Sequence, residues 1–142
     1  MRGILFRGKT DDGEWVYGSF CMDAREQFNG LCGVDGFIRL YDKAKGKMQT
    51  YEVDRETVGQ YTGMKDKNGK RIFEDDVCRF REWSKGEMCW VGKVHWEHQQ
   101  FMISGGPNKE CETMFELCLS RFIPENIEVI GNVHDNPELM EK

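Results

Sequence analysis

Nothing in this sequence approaches the roughly 18 consecutive apolar residues of a membrane-spanning helix, and the opening Met1-Arg2-Gly3-Ile4-Leu5-Phe6 is too short for a secretion signal. Both absences point to a soluble protein that stays in the cytoplasm. Proline is scarce, at 3 residues against 16 glycines, which excludes Pro-rich linkers and favours turns between strands. The six cysteines, Cys21, Cys32, Cys78, Cys89, Cys111 and Cys118, include no Cys-x-x-Cys pair. Scattered thiols in a chain without an export signal read as reduced core residues, not as a disulfide framework. Positive charge is not in excess either. The 20 Lys and Arg stand against 25 Asp and Glu, a net −5, which argues against generic binding to phosphate backbones. No Gly-Lys-Ser/Thr accompanies Gly59, Gly63 and Gly69, so they read as turn glycines and not as a phosphate cradle.

What is present suffices for one globular protein. A chain of 142 residues, 39% hydrophobic and 12% aromatic, can bury a core without staples. The run Ile4-Leu5-Phe6, the turn Thr10-Asp11-Asp12-Gly13 and the run Trp15-Val16-Tyr17-Gly18-Ser19-Phe20 predict a hairpin. Trp15 and Tyr17 alternate with Val16 and Phe20, so both faces of its second strand are expected to be covered. From Cys21 to Gly36 turn residues recur without a sustained period, which predicts a loop. Phe37 to Tyr41 reads as a strand, Asp42 to Lys47 as a charged turn and Met48 to Val53 as the returning strand. Asp54-Arg55-Glu56-Thr57 reads as a single capped helical turn.

The centre of the chain is Val58 to Val77. An apolar-rich run reaches Tyr61, Asp66-Lys67-Asn68-Gly69 supplies turn chemistry, and a second run restarts at Ile72-Phe73, predicting two strands joined by a tight reversal. Its markers are Gly59, Gly63, Asp66, Asn68 and Gly69. Asp76 to Arg81 then alternates, placing Val77, Arg79 and Arg81 on one face and Cys78 and Phe80 on the other. Ser84 to Glu87 is the next turn. Met88 to Trp96 follows as a strand in which Gly92 invites a bulge or bend, and Phe101 to Ser104 pairs back. Cys111, Met114, Phe115, Cys118 and Leu119 fall at i, i+3, i+4, i+7 and i+8, predicting an amphipathic helix over 111–119. Pro124 cannot continue it, Ile127 to Val133 returns to strand, and Asn136-Pro137 starts a last short helical turn. The expected fold is mainly β. It consists of an N-terminal β-hairpin lobe over 1–57, then a small antiparallel SH3-like barrel over 58–142 that carries the one helix.

Candidate chemistry is thin. Cys89, His95, His98, Cys111 and Cys118 are ligand types, but zinc wants close pairs, and His95-x-x-His98 on a strand points to opposite faces unless the chain turns at Glu97. No metal set and no cofactor follow. Asp11-Asp12 and Glu74-Asp75-Asp76 read as turn and loop acids, and no signature joins a nucleophile to a base, so an enzyme is not expected. Nucleic acid is the more serious alternative. From Met64 to Trp96, eight Lys and Arg stand against six acids, and Arg79, Arg81, Lys85 and Lys93 interleave with Phe80, Trp83, Trp90 and Trp96. Small barrels bind single strands with such cation-lined aromatic platforms, so Arg79, Arg81, Trp83, Lys85 and Lys93 form the candidate face. The favoured reading is a binding module. The 4 Trp, 9 Phe and 8 Met exceed what a thin barrel must bury, which directs some of them to subunit interfaces.

Three stretches also resemble one family. Ile4-Leu5-Phe6-Arg7-Gly8-Lys9 with Trp15-Val16-Tyr17-Gly18, then Tyr51 to Val77, then Val129 to Leu139 with Gly131-Asn132-Val133-His134-Asp135-Asn136-Pro137, are similar to the YopX proteins of phages and prophages. The resemblance implies a phage or prophage origin, a mainly β subunit, homo-oligomerisation and a bacterial cytoplasm, with no catalytic residues to carry over. It leaves three roles open: binding a host or phage protein, sequestering a small anionic ligand between subunits, or handling DNA. Two positions depart from the family's pattern. Glycine is usual where this chain has Asp75, which argues against a positive backbone angle there, and an aromatic is common where it has His134.

Overall fold

A computed structural model describes residues 4–22, 36–81, 90–105 and 115–140. The chain divides into two compact units, Met1–Tyr61 and Thr62–Lys142. It is mainly β, with two antiparallel five-stranded sheets. Most of the expected 21–36 loop, together with Trp83, Lys85, Cys89 and positions 111–114 of the expected helix, lies outside the described residues.

In the first unit, β1 (Phe6–Lys9) and β2 (Trp15–Met22) form the expected hairpin. The Thr10 amide donates to the Glu14 carbonyl at 2.9 Å, and Gly13 takes a φ of 82° that suits its lack of a Cβ. β3 (Gly36–Asp42) returns through the charged turn into β4 (Lys47–Lys65). Asp42 Oδ1 shapes that turn by accepting from the Ala44 and Lys45 amides. β4 pairs with β3 through its first half and with β1 through its second, so β1 to β4 make a closed circuit of pairings. Ile38 and Val53 are fully buried within this unit.

The capped helical turn expected at Asp54–Thr57 is instead part of β4. Its side-chain chemistry is there, since Asp54 Oδ1 accepts from the Glu56 amide and Thr57 Oγ1 donates to the Asp54 carbonyl. Thr57 Oγ1 also accepts from the Lys9 amide at 2.9 Å, where the register between β1 and β4 shifts. The local bonds bend a strand and never start a helix, because the partner strand β1 supplies the remaining backbone bonds.

In the second unit, β5 (Arg71–Phe73) lies beside the end of β4, and the second sheet runs β10-β6-β7-β8-β9. Its members are β6 (Asp76–Phe80), β7 (Trp90–Glu97), β8 (Gln100–Gly105), β9 (Phe115–Cys118) and β10 (Ile127–Asn132). Among the described residues these strands pair as a row, and no pairing that closes the barrel expected over 58–142 is seen. Gly92 makes no bulge, since β6 and β7 keep one register through it. A Cβ there would sit 2.8 Å from Ile103 Cγ1 and 2.9 Å from the Ser104 carbonyl oxygen, so close packing requires the glycine.

The amphipathic helix is not found. Phe115 to Cys118 is strand β9, paired to β8 from Gly105–Phe115 to Met102–Cys118, and Leu119–Arg121 is a 3-10 turn. The expected helix rests on five positions at period 3.6, but within it Phe115 and Leu117 also alternate with Glu116, which fits period two. Pairing with β8 decides the matter, sending Phe115 and Leu117 to the core and Glu116 and Cys118 to the other face. The tail ends in another 3-10 turn at Pro137–Met140, as its Asn-Pro start suggested. Among the described residues no helix is long and apolar enough to cross a membrane.

The core of this unit joins Ile72, Cys78, Phe80, Val94, Ile103, Leu119, Phe122 and Ile127. Phe80 is its centre, with the Phe122 ring edge-on at 4.9 Å, the Phe115 ring at 5.5 Å and Trp90 stacked at 6.4 Å. Each such pair contributes about 0.5–1.5 kcal/mol beyond its buried area. Cys21, Cys78 and Cys118 are in no disulfide, and Cys78 is completely buried.

Candidate functional site

The turn at the centre of the sequence is a clip on the edge of the second sheet. Asp66 closes the β4–β5 reversal: its amide donates to the Lys70 carbonyl, and its Oδ1 accepts from the Asn68 and Lys70 amides, each at 2.9 Å. Gly69 takes a φ of 78° in the turn, and Gly63 one of 88° within β4. The other carboxylate oxygen reaches further. Asp66 Oδ2 accepts from the Val129 amide at 2.9 Å, and the Lys67 amide donates to the Ile127 carbonyl at 3.0 Å. Lys67 Nζ then lies 3.4 Å from Glu128 Oε2. The turn therefore occupies backbone groups of edge strand β10 that would otherwise invite another strand. Asp66 is only 2% exposed, and its three amide donors are what make a carboxylate tolerable there. Gly59 is buried in β4 of the first unit, opposite Arg7. Asp66, Asn68 and Gly69 thus shape the reversal, whereas Gly59 and Gly63 lie within β4.

A second link ties the β5–β6 turn to the residues after β10. Asp75 has a φ of 69°, so the positive angle is present without glycine, at a residue type that tolerates it. The Asp75 amide donates to Val94, and its carbonyl accepts from Val133. Its Oδ2 lies 3.1 Å from His134 Nε2, with both side chains largely buried. The two positions that depart from the family pattern are therefore in contact. Nothing local relates residues 59 apart, and the shared departure was the one signal in the sequence that could have paired them.

The candidate nucleic-acid face is only partly assembled. Arg79 is exposed on β6, opposite Val91 and Glu128, and Lys93 on β7 stands opposite Val77 and Ser104, so the two cations share the outer face of the sheet. Arg81 lies past the end of β6, where its Nε donates to Asn126 Oδ1 at 3.0 Å and its Nη2 approaches the Glu125 carbonyl at 3.5 Å. Trp83 and Lys85 are outside the described residues. Strand alternation sends Phe80 and Trp90 to the opposite, core face, and Trp96 packs edge-on against Phe101 at 4.7 Å. Glu97, Glu116 and Glu128 share the face with Arg79 and Lys93. The described cations and aromatics therefore do not form one platform.

Comparison with known proteins gives three findings. The family model for YopX protein matches residues 6–141, nearly the whole chain. The crystal structure of protein EF1440 from Enterococcus faecalis is similar in fold, with a TM-score of 0.53 and 22% sequence identity, covering 99% of this chain and all of that one. No curated protein matches the chain.

Proposed function

The chain belongs to the YopX family, and from that premise we propose that it is a non-enzymatic phage or prophage accessory protein, acting in the bacterial cytoplasm as a binding module assembled from copies of itself. One observation carries this reading. The β3–β4 hairpin exposes large apolar side chains on both of its faces: Tyr41 and Met48 stand opposite one another, 54% and 48% exposed, and Leu40 on the reverse face is 44% exposed. Clustered apolar exposure of this kind marks interaction surfaces, whereas single exposed residues need no explanation. Completing the burial of each side chain contributes about 1 kcal/mol, and a two-fold contact uses each residue twice.

Sedimentation velocity on Tyr41→Glu and Met48→Glu tests the reading. The wild type is expected to sediment as an oligomer and both variants as smaller, folded species. Variants that assemble like the wild type contradict the assignment of this hairpin. The second reading, nucleic-acid binding through Arg79 and Lys93, is supported by their place on one face of the sheet and opposed by the carboxylates beside them. Oligonucleotide binding at low salt that falls with added salt favours it. Sequestration of a small anion between subunits is the third, and heat stabilisation by that anion in the oligomer alone supports it.

A further inference from the structure

The outer face of the second sheet brings three metal-ligating side chains together from two strands. His95 and Glu97 share one face of β7, and cross-strand pairing carries that face over Met102 and Ser104 of β8 to Glu116 of β9. Glu116 stands two strands from His95, yet ligand atoms of His95, Glu97 and Glu116 all lie within 4.8 Å of one another. The reversal at His98 and Gln99, with φ of 55° and 63°, sets Glu97 opposite Gln100 and leaves His98 Nε2 3.8 Å from Glu97 Oε1.

His95 supplies an independent observation. Its side chain is 21% exposed, and its Nε2 is buried with no hydrogen-bond partner among the described residues. Its Nδ1 faces Glu97 Oε2 across 3.6 Å, beyond the range of an N–H···O bond. The 3.6 Å spacing at Nδ1 fits a shared ion, because two donors bound at about 2.1 Å to one tetrahedral metal stand roughly 3.4 to 3.6 Å apart. Glu116 is exposed and can close the remaining distance by changing rotamer. Two carboxylates drawn toward one imidazole also repel each other, and a cation between them removes that repulsion.

We propose that His95, Glu97 and Glu116 form a site for one divalent first-row metal ion, zinc or manganese. One imidazole nitrogen and two carboxylate oxygens suit such an ion, with water at its remaining positions. Calcium wants six to eight oxygens and magnesium a largely hydrated octahedron, so both bind this set poorly. The sequence pattern tested His95 with His98, whereas the folded chain selects the i, i+2 neighbour Glu97 and a glutamate 21 residues past His95.

Calorimetric titration of the full chain, purified without a metal-affinity tag, with zinc chloride and with manganese chloride tests the site. Manganese matters because it has little affinity for thiolates, which keeps the cysteines from imitating the result. One manganese per chain is expected, weakened at least tenfold in His95→Gln and Glu116→Gln and unchanged in Glu138→Gln. It should selectively broaden the His95 ring protons in NMR spectra, and circular dichroism should show that all three variants keep their strands. No binding of either metal at millimolar concentration overturns the proposal, as does binding that both ligand variants retain at wild-type strength.

Discussion

Replacing Asp66 by alanine removes the acceptor of three backbone amides at once. Two of them, Asn68 and Lys70, lie in an exposed turn where water takes over part of the bonding, and the third, Val129, belongs to edge strand β10. A hydrogen bond to a charged group contributes about 1.5–3 kcal/mol net. With the turn amides at or below the bottom of that range, Asp66→Ala should destabilise the second unit by about 3–4 kcal/mol. That is a large share of the roughly 5–15 kcal/mol typical of a whole domain. Asp66→Asn keeps one carbonyl oxygen, for the turn amides or for Val129 but not for both, and should fall about midway. Urea unfolding followed by amide exchange in β6, β7 and β10 reads the loss, with the m-value unchanged. The Val129 amide should lose protection beyond the global change, because its own acceptor is gone. A destabilisation below about 0.5 kcal/mol, or Val129 protection that merely tracks the global value, would refute the clip.

Asp75→Gly exchanges a strained positive φ, at about 1 kcal/mol, for loss of the His134 contact, worth about the same, so it should be nearly neutral in the wild type. In a His134→Ala background the same change should stabilise by about 1 kcal/mol, a coupling that a double-mutant cycle measures. Gly92→Ala drives a Cβ against Ile103 and the Ser104 backbone and should lower urea stability by about 1–3 kcal/mol. Phe80→Ala empties the centre of the aromatic cluster and should cost about 3–5 kcal/mol by the same measurement, with Phe80→Leu less severe.

Features whose signals lie within a dozen residues were legible. The Thr10 to Gly13 turn, the Asp66 to Gly69 reversal and the alternation of Val77 and Arg79 against Cys78 and Phe80 each combine turn chemistry or period two in one short window. Phe115 to Cys118 was not, because the period-3.6 pattern over 111–119 competes with a period-two alternation at 115–118, and only β8 decides between them. Asp54 to Thr57 showed the right side-chain bonds and the wrong backbone, since Lys9, 48 residues earlier than Thr57, holds them in a strand. The strand order of the second sheet depends on β10 meeting β6 across some fifty residues, which no local window contains. Among candidate site residues, Arg79 and Lys93 share a face as strand parity requires, but Arg81 is turned away by Asn126, an interaction 45 residues long. His95, Glu97 and Glu116 converge only because β8 lies between their strands.

Native mass spectrometry of the wild-type chain, purified without a metal-affinity step, tests the binding-module account most directly, because it reads subunit count and retained mass together. The account predicts a defined oligomer at micromolar concentration, reduced to smaller species by Met48→Glu. A clean monomer at that concentration would contradict it and bring a host protein or nucleic acid to the front.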